Sequence, residues 1–518
     1  MLVVTAQEMR ELDRLTIEKY GVPSLTLMER AGESIAAAIL DRFSDATKQG
    51  VLVIAGKGNN GGDGFVVARL LKEKKIRSAV VLLGRKDHVS TDSAHNLNAF
   101  SQIGGEITEM TGEDLSRIDQ LFKKKGLVVD AILGTGMKQE VRGLFADVIE
   151  AMNASRLPVV AVDIPSGLES DTGLPLGAAV KAAMTVSLGY AKLGEVTYPG
   201  IYYTGDLLVS DIGIDSRAVE QLAPKTFLLE AKEISALVPV RRRDAHKGSY
   251  GHLLGIAGAR GKTGAAILAC RAAMRTGAGL VTLAAPRSLN NILAGSLVEV
   301  MTEPLNETPT EEIEPLGDEQ WRRLIERKDA VLFGPGIGVN EGTQHALRWL
   351  LRNLEVPWII DADGLNNLAV DVSRLRTART APVLTPHPGE MARLIGKDTA
   401  AVNRDRVGVA RTFATENRCH LVLKGARSVI ATAEGKVFIN PTGNPGMASG
   451  GTGDVLAGIL GSLLGQGFSP EDALKLGVYL HGFAGDRAAL KKGEIGLIAS
   501  DIIDALPAAI QALTPPAT

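Results

Sequence analysis

Cysteine is nearly missing. Cys270 and Cys419 are the whole complement of 518 residues, which excludes a framework of disulfides and points to a reducing compartment. An excess of charge of one sign is missing too: a formal net charge of −2 leaves no electrostatic footprint for nucleic acid or an anionic membrane. No uninterrupted apolar run approaches the ~18 residues that span a bilayer. The opening "MLVVTAQEMRELDR" lacks the basic start and apolar centre of a secretory signal, so a cytoplasmic protein is expected. Aromatic residues are sparse at 4% while glycine is abundant at 58 residues, a balance that suits strand-to-loop turns and close approach of backbone to ligand. What is present, 45% hydrophobic and 22% charged, is ordinary for globular protein. A chain of 518 residues is too long for one core, and two or three domains are expected.

The opening segment reads as a helix, with Thr5 and Glu8 as a capping box, Met9, Leu12 and Leu15 as a stripe and Gly21 as a stop. A second helix is expected over 24–43, with Met28, Ala31, Ile35, Ile39 and Phe43 on one face. Short β-rich runs at 51–55, 79–83, 127–133 and 159–162 then alternate with helical stretches, the pattern of parallel strands with crossover helices. Three of these runs lead into loops rich in glycine or acid, "GKGNNGGDG", "DAILGTG" and "DIPSG", at the strand ends where such sheets bind ligands. The pattern loosens between 213 and 250. It restarts with "HLLGIAG" at 252–258 and continues to "GGTGDVLAGILGSLL" and a last helix expected over 470–487, with Ser469 as N-cap and Pro470 at its first position. Two α/β domains are expected, over 1–218 and 226–518.

In the second half, "GARGKT" at 258–263 imitates the end of a phosphate-binding P-loop, but the position five before Gly261 is Ile256, not glycine. "GGTGD" is the stronger signal. Gly450, Gly451 and Gly453 leave backbone N–H groups free to face an anion at the start of an apolar helix. Asp454 just inside it is placed to take a proton from a hydroxyl while those amides stabilise a transferring phosphoryl group. The plain alternative makes Asp454 a helix cap and the glycines turn formers. The motif resembles the anion hole and base of the ribokinase-like superfamily, and "VLKGARSVI" at 422–430 resembles its turn beside the nucleotide. "GPGIG", "DADGLN" and "LTPHPGEM" are similar to the branch that repairs hydrated nicotinamide nucleotides. His387 lies between two prolines in the last of these, either as a loop histidine held by backbone or as a positioned contact.

In the first half, Gly56, Gly58 and Gly61 fit G-x-G-x-x-G, the spacing of a dinucleotide turn. A dehydrogenase is disfavoured because the next strand, "VVLLGRKD", has no acid at its tip to hold a ribose. "NNGGDG", "DAILGTGMKQEVRG" and "VDIPSGLESDTG" instead resemble the epimerase domain of the same repair system. That resemblance implies a potassium site at Asn60, Asp130 and Ser166, oxygen donors suited to a hard cation. It also implies substrate contacts at Asn59, Asn60, Gly61, Gly62 and Asp63, at Gly134, Thr135, Gly136, Met137, Lys138, Gln139 and Glu140, and at Asp163. Lys192 in "SLGYAKLGEVTYPG" reads by itself as a solvated charge, and by resemblance as a partner of Asp163, which together with Asp454 completes the candidate catalytic set.

The resemblance covers roughly residues 5–510. It implies a Rossmann-like three-layer α/β domain that epimerises NAD(P)H hydrates, followed by a ribokinase-like α/β domain that dehydrates the S form at the expense of ADP or ATP. Gly264, Gly336, His387 and Asp454 would face that substrate, and Lys424, Gly425, Ala426, Arg427, Ser428 and Gly453 the nucleotide. His246, Lys247 and Gly248 recur where the family's second domain begins. K+ and Mg2+ are the implied cofactors. The implied partners are the small molecules NADHX, NADPHX and ADP or ATP, without nucleic acid or membrane, in a homo-oligomer. Ala259 departs from the pattern, which often has serine there. The competing readings are a ribokinase-like kinase of a vitamin-precursor alcohol fused to a nucleotide-binding domain, and a binding protein without turnover.

Overall fold

The capping box at Thr5 closes in both directions: its hydroxyl accepts from the Glu8 amide at 3.2 Å, and Glu8 accepts from the Thr5 amide at 2.8 Å. The helix Ala6–Arg14 that follows buries Met9 and Leu12. In the computed structural model residues 1–112 and 118–514 are described, and the chain divides into two units, Leu2–Pro224 and the part that begins at Lys225.

The first unit is built on seven parallel strands in the spatial order Glu106–Met110, Ser78–Leu83, Val51–Ala55, Leu127–Ala131, Val159–Val162, Met184–Leu188, Asp206–Ser210. Every residue of Val51–Ala55 and Leu127–Ala131 is buried, as an interior strand covered on both faces requires. Alternate side chains feed two cores. Val51, Val53 and Val129 pack with helices Ser24–Arg42, Asn59–Glu73 and Thr91–Gln102, while Leu52, Ile54 and Val128 pack with Leu144–Ala154. This gives three layers. From Val51–Ala55 the chain steps to one neighbour and later returns to the other side, so the loops beyond this strand and Leu127–Ala131 open a crevice. A short parallel ladder pairs Leu2–Val4 with Ala191–Lys192.

The second unit carries the parallel order Met301–Leu305, Leu280–Pro286, His252–Ile256, Ala330–Phe333, Trp358–Ile360, Val383–Leu384, His420–Leu423. Val429–Ala431 and Val437–Ile439 extend it antiparallel, and Thr226–Leu228 joins Val437–Ile439 in parallel. Helices Thr263–Thr276 and Thr452–Gly465 lie so close that a Cβ at Gly458 would come 2.0 Å from the Ala269 carbonyl oxygen. Among the described residues no helix is long and apolar enough to cross a membrane.

Four local features differ from the sequence expectation. The glycine-rich stretch after Ala55 is helical from Asn59 onward, so Asn59 to Asp63 form a first turn rather than a loop. The strand expected over 127–133 stops at Ala131, where the Asp130 carboxylate accepts from the Ile132 amide at 3.3 Å and turns the chain. The late helix runs on to Lys492, because the chain meets no stop before Gly493, whose φ is +76°. Thr226–Leu228 is a strand of three residues in the stretch where periodicity fades, too short to read from pattern.

Candidate active sites

The crevice of the first unit is a cavity of about 660 Å³. Asn59, Asn60 and Asp63 from the helix start, Gly134, Thr135, Gly136 and Met137 from the second loop, and Asp163 line it. Gly61 and Gly62 do not. Their missing side chains serve packing, since a Cβ on Gly61 would lie 2.0 Å from the Gly56 carbonyl and one on Gly62 would strike Met28 and Ser93. Lys138, Gln139 and Glu140 are exposed and outside the lining, with Glu140 paired to Arg142.

Asp163 follows the strand Val159–Val162 with φ at +66°, a left-handed backbone that a non-glycine residue adopts at a cost and that clusters at functional sites. Its Oδ1 accepts from the Leu188 amide at 3.1 Å and from Lys192 Nζ. Lys192 is no surface charge: it is 0% exposed, and Nζ also donates to the Leu188 carbonyl at 2.9 Å and Ser187 Oγ at 3.1 Å. The Lys192 amide in turn donates to Glu195, whose carboxyl burial pushes up to about 7 despite the nearby ammonium. Asp63 is buried beside this pair and held well above the usual carboxylate range, first by burial and then by the charges of Asp163 and Asp13.

Asn60, Asp130 and Ser166 meet around Leu133. Asp130 accepts from Ser166 Oγ at 2.6 Å and its amide at 2.8 Å, Ser166 Oγ accepts from the Leu133 amide at 2.8 Å, and Asn60 donates to the Leu133 carbonyl at 3.1 Å. Burial raises Asp130 to about 6 against the lowering effect of these bonds, and among the described residues no cation pairs with it.

In the second unit, Gly451 (φ +92°) turns the chain into helix Thr452–Gly465, which places Asp454 in its first turn. Lys424 reaches across: its Nζ lies 2.9 Å from Asp361 and 3.8 Å from Glu390, and a Cβ on Gly453 would sit 3.2 Å from it. Burial alone would lower the Lys424 ammonium, but Asp361 and Glu390 reverse the sign and raise it. Burial, then the Asp361 charge, lifts Asp454 to about 7 although Lys424 opposes. His387 caps helix Pro388–Ile395, with Nδ1 accepting from the Gly389 and Glu390 amides at 3.0 and 3.3 Å. Burial and the Lys424 and Arg393 charges keep its pKa below the usual histidine value. Gly336 (φ +65°) abuts Lys262 and Ala265, next to Gly264. The turn Lys424–Ser428 is clamped by Arg406, which donates to the carbonyls of Leu423, Lys424 and Ala426.

Sequence reasoning missed Asp13, Arg10 and Lys57 in the first cavity and Glu195, Glu390 and Arg406 as supports. Asp13 had a signal available: Met9, Arg10, Asp13 and Ile17 follow helical spacing, and all four line the cavity. Arg10 shares that signal, and Glu195 and Glu390 stand three residues after Lys192 and His387, at capping-box spacing, whereas Arg406 acts on carbonyls far along the chain and had none.

Residues 253–508 match a family model described as NAD(P)H-hydrate dehydratase, and residues 24–194 match one described as YjeF-related protein N-terminus. The bifunctional NAD(P)H-hydrate repair enzyme of Moorella thermoacetica is 45% identical over 98% of this chain and 96% of its own length. The enzyme so named in Escherichia coli is 36% identical over 97% of this chain and 92% of its own. A crystal structure of the ADP/ATP-dependent NAD(P)H-hydrate dehydratase of Bacillus subtilis, co-crystallised with ATP and Mg2+, has 29% identity. It covers 55% of this chain and 98% of that one, with a TM-score of 0.48. With relatives of this similarity along both units, the chain belongs to the family of bifunctional NAD(P)H-hydrate repair enzymes.

Proposed function

We propose that the chain repairs NADH and NADPH hydrated at C6 of the nicotinamide ring: the first unit interconverts the R and S forms, and the second dehydrates the S form at the expense of ADP or ATP. The observation that carries this reading is family membership along both units, which also disfavours a fused vitamin-precursor kinase. Each unit adds a site with the chemistry its step needs.

Dehydration has to turn a hydroxyl into a better leaving group. Asp454 takes the C6 hydroxyl proton as that oxygen attacks the terminal phosphorus, and ADP leaves from ATP, or AMP from ADP. The amides at the start of helix Thr452–Gly465 stabilise the charge in flight. The ring nitrogen lone pair then expels phosphate, and loss of a C5 proton restores the C5–C6 double bond. A pKa of about 7 suits Asp454 to a proton it must both accept and release near neutrality. The turn Lys424–Ser428 and Gly453 hold the nucleotide, with Gly264, Gly336 and His387 on the substrate side. The carboxylates Asp361 and Glu390 are hard oxygen donors near the cradle, of the kind Mg2+ accepts.

In the first unit, Asn60, Asp130 and Ser166 fit potassium, because they gather oxygen donors around a buried carboxylate that no cationic side chain pairs with among the described residues. Potassium, when bound, neutralises Asp130. The substrate ring lies in the cavity beside Asp163, which Lys192 holds in place. The chain acts as a homo-oligomer on these small molecules in the cytoplasm. The test is incubation of NADPH hydrate with ADP and Mg2+. One NADPH, one AMP and one phosphate should appear per hydrate consumed, whereas a phosphorylated product accumulating without NADPH would favour the kinase.

A further inference from the structure

The helix Ala6–Arg14 lies outside the matched segment 24–194, yet with Ile17 beyond its end it forms one wall of the first cavity. Asp13 sits on that wall and faces Asp63 and Asp163 across the same space. The three carboxyls are not equivalent. Asp163 is committed to Lys192 and the Leu188 amide. Asp63 is only 8% exposed, and among the described residues no hydrogen bond or ion pair reaches its carboxyl or that of Asp13. Two carboxyls without donors, one of them buried and both opening on a cavity sized for a nucleotide, have no structural duty that explains them. The other charged groups on this cavity wall are Arg10, Lys57 and Asp92, with Lys192 behind Asp163.

We propose, resting on the epimerase reading of this unit, that Asp13 is a catalytic residue of epimerisation and works with Asp63 as the acid–base pair at C6. The carbon at C6 bears both the hydroxyl and the ring nitrogen. In one direction the Asp63 carboxyl gives its proton to the hydroxyl, the C6–O bond breaks with both electrons leaving on oxygen as water, and the nitrogen lone pair forms a C6=N1 bond. Water adds to the opposite face, the C6=N1 electron pair returns to nitrogen, and the added water's proton passes to the Asp13 carboxylate. One hydroxyl is lost and one regained, with no change of oxidation state. The reverse direction exchanges the two roles, and proton exchange with solvent in the cavity resets the pair.

Their environments separate the two groups as this requires. Burial, then the charges of Asp163 and Asp13, hold Asp63 well above the usual carboxylate range and so favour its protonated form, while Asp13, raised by burial and by Asp163, reaches only about 6. Asp163, fixed by Lys192, supplies the negative charge that steadies the cationic ring.

The test follows conversion of (6R)- to (6S)-NADPH hydrate by chromatography, without ADP, in the full chain, in Asp13→Asn and in Asp13→Glu. Failure of the parent chain to epimerise would overturn the functional reading itself. With an active parent, Asp13→Asn should lower kcat about a hundredfold or more with little change in KM. Asp13→Glu, which keeps an acid on the same helix face, should recover a large part of the rate. Dehydration of pure S form should continue in both variants and report an intact chain. A near-parental kcat in Asp13→Asn, a loss expressed in KM alone, or equal losses in the Asn and Glu variants would overturn the proposal.

Discussion

Asp454 meets three carboxylates and one ammonium: burial and Asp361 raise its pKa to about 7, Glu390 and Asp363 add to the rise, and Lys424 works against them. A base must be ionised to accept a proton, so kcat/KM for dehydration should climb as pH passes through about 7. Asp361→Asn removes a negative neighbour and releases Lys424 from its 2.9 Å partner. Both changes favour the ionised Asp454, so the rising limb should move to lower pH. A limb that stays in place would show that Asp361 does not set this titration. Asp454 itself was legible because G-T-G-D joins glycines, helix start and acid within a few residues. Asp361 was only a letter in "DADGLN", since its partner Lys424 lies 63 residues away and no local pattern records that pairing.

The element that decides the first site is the helix Asn59–Glu73. Its start packs against the strand end so tightly that Gly61 leaves no room for a methyl group, the obstacle being the Gly56 backbone 2.0 Å away rather than a side chain that could swing aside. Gly61→Ala should therefore lower stability by about 1–3 kcal/mol or more and depress the melting temperature. Gly58→Ala, where nothing lies within 4 Å, should leave it near the parent value. Equal melting of the two variants would contradict this packing account. The sequence placed the central strands, such as Val51–Ala55, because unbroken apolar runs are what a strand covered on both faces needs. It did not place the helix start. Six polar or glycine residues in a row, Asn59 to Gly64, carry the composition of a loop, and only burial against the sheet and Met28 makes them helical. Lys192 was obscured for the same reason: a lysine reads as surface until the fold buries it against Asp163.

At the scale of the whole molecule, one chain joins two sites whose residues come from separate units, Leu2–Pro224 and the part from Lys225 on. Asp130→Ala removes the carboxylate from the proposed potassium cage and should weaken epimerisation, while dehydration of pure S form continues; parallel loss of both activities would argue against independent sites. The most direct measurement uses Asp454→Asn in the full chain with a mixture of R and S NADPH hydrate, ADP and Mg2+, followed by chromatography. Asn keeps the size and hydrogen bonding but takes no proton, and loss of a positioned base costs ~10²–10⁴ in rate. The account predicts that the variant equilibrates the two epimers while forming almost no NADPH. Formation of NADPH at near the parental rate would contradict it.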